Sequence, residues 1–245
     1  MLNSKPQIMR LFITLTLLLN FVSALCFGQT QVTLPQSVKS LNEIIPDQWV
    51  LIESTSGDLN QDGVPDLAVV IQSTDTANIE MYHGAGGWVD STNYNPRVLA
   101  IYVGKNGAGY EKKWVNEDFL LTQESGMVEP LGDFTINEGQ LFISLYIFYS
   151  MGSWMTSNHH YVFACHGSEL VLVGYSSNEL DRSSGAMVNC NIDFTAQEIE
   201  IREGNISQEE DQDVVTIRHF ELAKLLTLDS MGVATNTSFE GACWL

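Results

Sequence analysis

The sequence predicts an all-β fold: an antiparallel meander, sandwich or barrel-like sheet with one or two short helices. Three observations predict it. Runs rich in Val, Ile, Phe, Tyr and Leu recur along the chain, turns of a few Gly, Asn and Ser residues separate them, and few segments have helical periodicity. Because such short turns join antiparallel neighbours, βαβ units are disfavoured. The alternatives are an α+β or propeller-like fold, and the lack of a repeat of about 40 to 50 residues disfavours the propeller.

The first element has the pattern of an export signal. Lys5 and Arg10 precede an apolar stretch over residues 11–25. The pattern predicts a signal peptide over 1–28 and a single β-rich domain over 29–245, in a periplasmic, outer-surface or extracellular protein. Because polar residues interrupt the stretch and it is shorter than the roughly 20 residues of a membrane helix, we expect no integral membrane span in the mature chain.

Two segments have apolar residues at helical spacing. Residues 34–45 are predicted to form a short amphipathic helix that ends at Pro46, and residues 219–228 a C-terminal helix. The rest is predicted as strands. Two of them, 49–53 and 67–72, flank an acidic loop. Further hairpins are predicted from 98–103 with 110–115, 132–136 with 140–148, 159–165 with 169–175, and 191–194 with 198–202.

The charge balance is strongly acidic. The chain has 30 Asp and Glu residues against 11 Lys and Arg residues, for a net charge of −19. Such a surface repels phosphate backbones and anionic lipid headgroups, whereas it attracts divalent cations. Nucleic acid is therefore excluded as a partner, and Ca²⁺ is favoured.

The acidic loop at 58–66 is the most specific motif in the chain. Ca²⁺ prefers six to eight oxygen ligands, and alternate residues of a tight loop can direct their oxygens at one centre. Gly63 stands where such a loop turns sharply. The alternative is a metal-free turn rich in Asp, Asn and Gly. The predicted ligands are the side chains of Asp58, Asn60, Asp62 and Asp66 and the backbone carbonyl of Val64.

The segment GDLNQDGVPDLAVV resembles the calcium loops of integrin-type FG-GAP and VCBS repeats, in which strands enclose an Asp-x-Asn-x-Asp-Gly-x-x-Asp loop. The resemblance covers about 14 residues, and it implies the same ligand set. Those families carry several copies arranged as propeller blades, whereas this chain has one. The order of the segments around GDLNQDG, GDFTINEG and GSWMTSNHHYVFAC also resembles a family of secreted bacterial β-proteins with no assigned activity, which implies that the loop belongs to a single domain.

Three cysteines follow the predicted signal, an odd number in a compartment where disulfides persist. Cys165 and Cys190 lie in predicted strands and are the favoured disulfide pair over Cys243, which is close to the C-terminus. The alternative is that all three are buried thiols.

Two predicted loops, 83–97 and 149–158, combine aromatic residues with Gly and small polar residues. A groove that binds a glycan or peptide has this composition. His159 and His160 are adjacent in a predicted strand, so their side chains point to opposite faces and cannot easily share one ion. The alternative is that the aromatic residues close the ends of a sandwich. The predicted ligand-binding residues are Trp88, Tyr94, Arg97, Trp154, Asn158 and His159.

These features favour a non-enzymatic exported binding or interaction module with a structural Ca²⁺, whose partner is a glycan, a peptide or an envelope protein. One alternative is a Ca²⁺-dependent cell-envelope hydrolase of glycans or phosphoesters, with carboxylates such as Asp90 or Asp133. Another is an inhibitor of an envelope enzyme. No HExxH, GxSxG or phosphate-loop motif occurs in the sequence.

Overall fold

Runs of β-branched and aromatic residues pair as antiparallel strands in the computed structural model, which describes residues 32–83 and 89–245. The strands are β1 (Ser37–Val38), β2 (Trp49–Gly57), β3 (Asp66–Ser73), β4 (Ile79–His83), β5 (Val89–Asn93), β6 (Arg97–Lys105), β7 (Gly109–Asn116), β8 (Leu131–Asn137), β9 (Gln140–Phe148), β10 (Met155–His166), β11 (Glu169–Asp181), β12 (Ala186–Asp193), β13 (Glu198–Asn205), β14 (Val214–His219), β15 (Ser238–Phe239) and β16 (Cys243–Trp244). Short 3₁₀ helices occupy Leu41–Glu43, Thr76–Asn78, Glu210–Gln212 and Leu228–Ser230.

Two large sheets and two small hairpins result. The first sheet has the order β1-β7-β6-β3-β2, and the second is a meander of seven strands that runs from β8 to β14 in sequence order. The small hairpins are β4-β5 and β15-β16. The all-β prediction is confirmed, and each of the predicted hairpins forms, because the short turns join strands that neighbour each other in the chain.

The two large sheets enclose one hydrophobic core in a sandwich-like arrangement. Ile101 of β6 and Phe163 of β10 are fully buried in the same cluster. Phe119, between β7 and β8, has its ring centroid 5.0 Å from that of Tyr161 and 5.8 Å from that of Phe163, in edge-to-face contact. Edge strands β2 and β8 adjoin, and the Ile136 N–H donates to Thr55 Oγ1 at 3.1 Å.

Both predicted helices are wrong. Within 34–45, Ser37–Val38 pairs with β7 and only Leu41–Glu43 is helical, because the Gln36 carbonyl accepts the Lys112 N–H in an extended conformation. Within 219–228, His219 ends β14, the Leu172 N–H donates to the Leu226 carbonyl, and a 3₁₀ helix begins only at Leu228. In both segments apolar side chains are buried without an α-helix, so their helical spacing did not indicate one.

The predicted disulfide is also wrong. Cys190 bonds to Cys243, with a Cα–Cα distance of 6.2 Å, and Cys165 is a free, half-buried thiol. Strand β11 lies between β10, which carries Cys165, and β12, which carries Cys190. Two strand spacings are about 9.5 Å, beyond the roughly 7 Å Cα–Cα limit of a disulfide.

Residues Leu34–Leu245 form one compact unit. The predicted signal peptide over 1–28 lies outside the described residues, so it stays a prediction. Among the described residues, no helix has the length and apolar character needed to cross a membrane.

Candidate functional site

The acidic loop connects β2 to β3, and its side chains shape its own backbone. Asp58 accepts the N–H groups of Asp62 at 3.0 Å and Gly63 at 2.8 Å. Asn60 Oδ1 accepts the Asp62 N–H at 3.0 Å, and Asp62 Oδ1 accepts the Val64 N–H at 2.9 Å. Three consecutive N–H groups therefore fix the orientation of three of the four predicted side-chain ligands.

Asp66 anchors the loop from inside the protein. Its side chain is fully buried, Oδ2 accepts the N–H groups of Leu59 and Asn60, and Oδ1 accepts the Gly104 N–H at 2.8 Å. Burial raises the pKa of this carboxyl above its ordinary value, and the three N–H groups act in the opposite direction. Asp66 thus ties the loop to β6 of the same sheet.

Two glycines allow this geometry. Gly63 has φ of +85°, a left-handed conformation that other residues adopt only with strain. Gly104 lies so close to the loop that an added Cβ would be 2.3 Å from the Pro65 carbonyl oxygen. A side chain at Gly104 would therefore displace the loop from Asp66.

The donor chemistry of the loop fits Ca²⁺ at three side chains. The hydrogen bonds leave a free lone pair on each oxygen of Asp58, Asn60 and Asp62, and hard oxygens are the ligands that Ca²⁺ prefers. Asp66 differs, since backbone N–H groups occupy about three of its four lone pairs. Across residues 32–83 and 89–245, no three His, Cys, Asp or Glu side chains converge, so a Ca²⁺ site in this loop would also need the Asn60 amide and backbone carbonyl oxygens as ligands.

The second candidate region lies around residues 123–129, which link the two predicted aromatic loops. Gln123 Oε1 accepts the Asn93 N–H of β5, and the hydroxyls of Tyr82 and Ser125 are hydrogen-bonded at 3.2 Å. On the other side, the Tyr149 hydroxyl donates to Glu124 at 2.6 Å. We call residues 123–129, hairpin β4-β5 and residues 149–155 the aromatic end.

Tyrosine hydroxyls and carboxylates form a surface network at the aromatic end. Tyr82 and Tyr94 both donate to Glu80 Oε2, at 2.6 Å and 3.1 Å. The hydrogen bond between the Tyr94 and Tyr82 hydroxyls, with further contributions from burial and Glu80, raises the pKa of Tyr94 to about 12. Burial and the bond to Glu124 raise the pKa of Tyr149 to about 12. Tyr94 and Tyr149 are therefore neutral hydrogen-bonding groups at physiological pH.

Large apolar side chains are exposed at the aromatic end. Trp154 is 67% exposed and Met151 is 72% exposed. Met151 lies over Gly126, where an added Cβ would be 3.5 Å from Met151 Cγ. The other exposed apolar side chains of this region are those of Met81, Val128 and Met155. Methionine, the commonest side chain in this group, is enriched at binding surfaces that adapt to their partners.

Two predicted ligand-binding residues are instead buried. Arg97 is 3% exposed and forms two hydrogen bonds with Glu129, at 2.6 Å and 2.7 Å, which holds residues 123–129 against β6. His159 is also 3% exposed and lies in the core. Asn158, the preceding residue, is exposed on the opposite face of β10, as strand alternation requires. Trp88 lies outside the described residues.

The environment of His159 makes it a weak base. The Tyr175 hydroxyl donates to the Trp244 carbonyl, so Nδ1 of His159 donates to Tyr175 at 2.8 Å and Nε2 accepts from Ser157 at 2.8 Å. Burial and, secondarily, the nearby His160 lower the pKa of His159 to about 4. The Ser157–His159 pair is therefore a neutral, buried hydrogen-bonding unit.

The acidic loop and the aromatic end lie at opposite ends of hairpin β2-β3. Gly57 pairs with Asp66 beside the loop. At the other end of the hairpin Trp49 pairs with Ser73, and the neighbouring residue Gln72 pairs with Arg97. Seven residue steps of a strand span about 23 Å. A cation in the loop therefore could not contact a ligand at the aromatic end.

The two carboxylates named for the hydrolase alternative lie on different strands. Asp90 lies on β5 and accepts the Ser91 N–H at 2.8 Å, and Asp133 is exposed on edge strand β8. The sequence did not reveal that Glu124 and Ser125 belong to the aromatic end, because nothing in the sequence places them between two distant loops.

No family model, curated protein or solved structure matches this chain.

Proposed function

We propose that this protein is an exported, non-enzymatic module that binds a polypeptide partner at its aromatic end, while one Ca²⁺ in the 58–66 loop stabilises the opposite end. The observation that carries the proposal is the group of exposed Met, Trp and Val side chains around residues 123–129. Exposed apolar side chains that adjoin one another mark interaction surfaces more often than scattered ones do.

The chemistry of the aromatic end favours a polypeptide over a glycan. Methionine thioethers adapt to apolar side chains and offer little to the hydroxyls of a sugar, and three of the exposed side chains are Met81, Met151 and Met155. Glu80 and Glu124 border the surface. The complementary partner therefore presents apolar side chains together with Lys or Arg.

The loop supports Ca²⁺ binding through Asp58, Asn60 and Asp62, with the Val64 carbonyl as a further ligand and water in the remaining positions. Bound Ca²⁺ would neutralise the carboxylates and fix the β2-β3 connection against β6 through Asp66. The distance to the aromatic end supports a structural role. A binding role also fits better than hydrolysis, because the weakly basic His159 is buried in the core whereas Asp90 and Asp133 are exposed.

A peptide array tests the binding proposal. The array carries peptides that combine apolar residues with Lys or Arg, together with scrambled acidic peptides, and is probed with wild-type protein, Trp154→Ala and Trp244→Ala. Trp244 is a matched control, since it is exposed but lies near the C-terminus. We expect selective binding of the apolar-basic peptides, weakened about thirtyfold by Trp154→Ala and unchanged by Trp244→Ala. Absence of binding, or equal effects of the two substitutions, would contradict the proposal.

A further inference from the structure

The edges of the two large sheets are protected unequally. Unpaired edge N–H and C=O groups can pair with another chain, so proteins shorten, cover or charge their edge strands. Here β1 has only two residues. Edges β2 and β8 cover each other: the Ile136 N–H donates to Thr55 Oγ1, and the Ile136 side chain packs on the backbone of Gly57. The remaining edge strand is β14, with six residues.

Strand β14 exposes apolar side chains on both of its faces. Val214 is 61% exposed, Val215 is 44% exposed and Ile217 is 56% exposed. Val215 pairs with Arg202 of β13, and Ile217 pairs with Glu200, so the two apolar side chains share one face. In the described part of the chain, β14 pairs with β13 alone, and its other edge carries no strand.

We infer that β14 pairs antiparallel with β14 of a second copy of this chain, which joins the two seven-stranded sheets in a two-fold dimer. A two-fold axis at Thr216 places Val215 of one copy beside Ile217 of the other and buries both on the same face. This surface is separate from the aromatic end, so the inference does not depend on the proposed partner.

The charges along β14 are self-complementary. Glu209 and Glu210 precede the strand, and Arg218 and His219 end it. Antiparallel pairing brings the basic end of each copy to the acidic end of the other. Because parallel pairing would place like charges together, the charge order selects the two-fold antiparallel arrangement. A closed two-fold pair also leaves neither β14 edge free to add further copies.

Sedimentation velocity of the full purified protein over two decades of concentration tests the inference. We expect reversible dimerisation with a dissociation constant on the order of 10 µM, as for a small interface. Val215→Lys should raise that constant at least about tenfold by placing like charges across the axis. The matched control is Val233→Lys, since Val233 is also 44% exposed but lies outside the strands. The control should dimerise as the wild type does.

Hydrogen exchange locates the interface independently. Amides of residues 214–219 should exchange more slowly at high than at low protein concentration, and Val215→Lys should abolish that difference. Arg218→Glu should weaken the dimer too, because it places a carboxylate beside the acidic end of the second copy. A monomer at every concentration, a dimer insensitive to Val215→Lys, or unchanged exchange in β14 would each overturn the inference.

Discussion

The two ends of hairpin β2-β3 use polar side chains in opposite ways. At the loop end, Asp58, Asn60 and Asp62 bond to the backbone of their own loop, and Asp66 is completely buried. At the aromatic end, the hydroxyls of Tyr82 and Tyr94 bond to a surface carboxylate beside exposed apolar groups. Polar groups bonded to backbone hold the fold together, whereas polar groups bonded to each other at the surface can exchange those bonds for bonds to a partner.

The comparison predicts that replacing a carboxylate with an amide lowers the free energy of unfolding much more at the loop end than at the aromatic end. Asp66→Asn should lower the free energy of unfolding by about 4 kcal/mol, since it replaces a charged acceptor of three N–H groups with an amide that directs its own hydrogens at them. Glu80→Gln at the aromatic end should change it by no more than about 0.5 kcal/mol. Urea denaturation of both variants gives the values. Similar losses in the two variants would remove the distinction between the ends.

The buried imidazole of His159 provides the second test. The pKa of His159 is about 4 in the folded protein and near 6.5 in the unfolded chain. Between these values the unfolded state binds the proton and the folded state does not, so stability falls as the pH is lowered through this window. The loss attributable to His159 should reach about 3 kcal/mol at pH 4 and vanish above pH 7.

The His159 contribution is isolated by comparing variants. Urea denaturation between pH 7 and pH 4 should show a shallower loss of stability in His159→Gln than in the wild type. His219→Gln is the control, because that imidazole is largely exposed on β14. If all three proteins lose stability in parallel, His159 is protonated within the fold, and it would then be available as an acid or base.

The loop end could be predicted from the sequence to a far greater extent than the aromatic end. Alternating Asp and Asn residues with a glycine specify a tight turn by bonds that span only two to five residues, and such local bonds are visible in the sequence. The aromatic end depends on bonds such as that from Tyr82 to Ser125, which are 43 residues apart. Nothing in the local pattern of either residue indicates its partner.

The same distinction explains the errors. Strand and turn patterns predicted the meander, since each strand of β8 to β14 pairs with its neighbour in the chain. The Cys190–Cys243 bond joins residues 53 apart, and its choice over Cys165 depends on which strand lies between. Arg97 lies in an exposed-looking Asn- and Pro-containing segment, yet its partner Glu129 is 32 residues away, so its burial could not be foreseen.

The stability gained on Ca²⁺ binding is the smallest effect that we expect, and it tests the loop end alone. At a free Ca²⁺ concentration about tenfold above the dissociation constant, binding to the folded state alone adds about 1.4 kcal/mol of stability. In a domain of this size that is a rise of about 4 °C in the melting temperature relative to EDTA. Asp62→Ala should remove the rise, because Asp62 offers two oxygens at the surface of the loop, whereas Asp66 is occupied by backbone N–H groups.

Asp90→Ala is the matched control for this measurement. It removes one exposed carboxylate from the aromatic end, so it changes the net charge as Asp62→Ala does and leaves the loop intact. A Ca²⁺-dependent rise retained in Asp90→Ala and lost in Asp62→Ala would locate the cation at the loop end. A rise of equal size in both variants would instead indicate general screening of the net charge of −19, and the loop would then be a metal-free turn held by its own side chains.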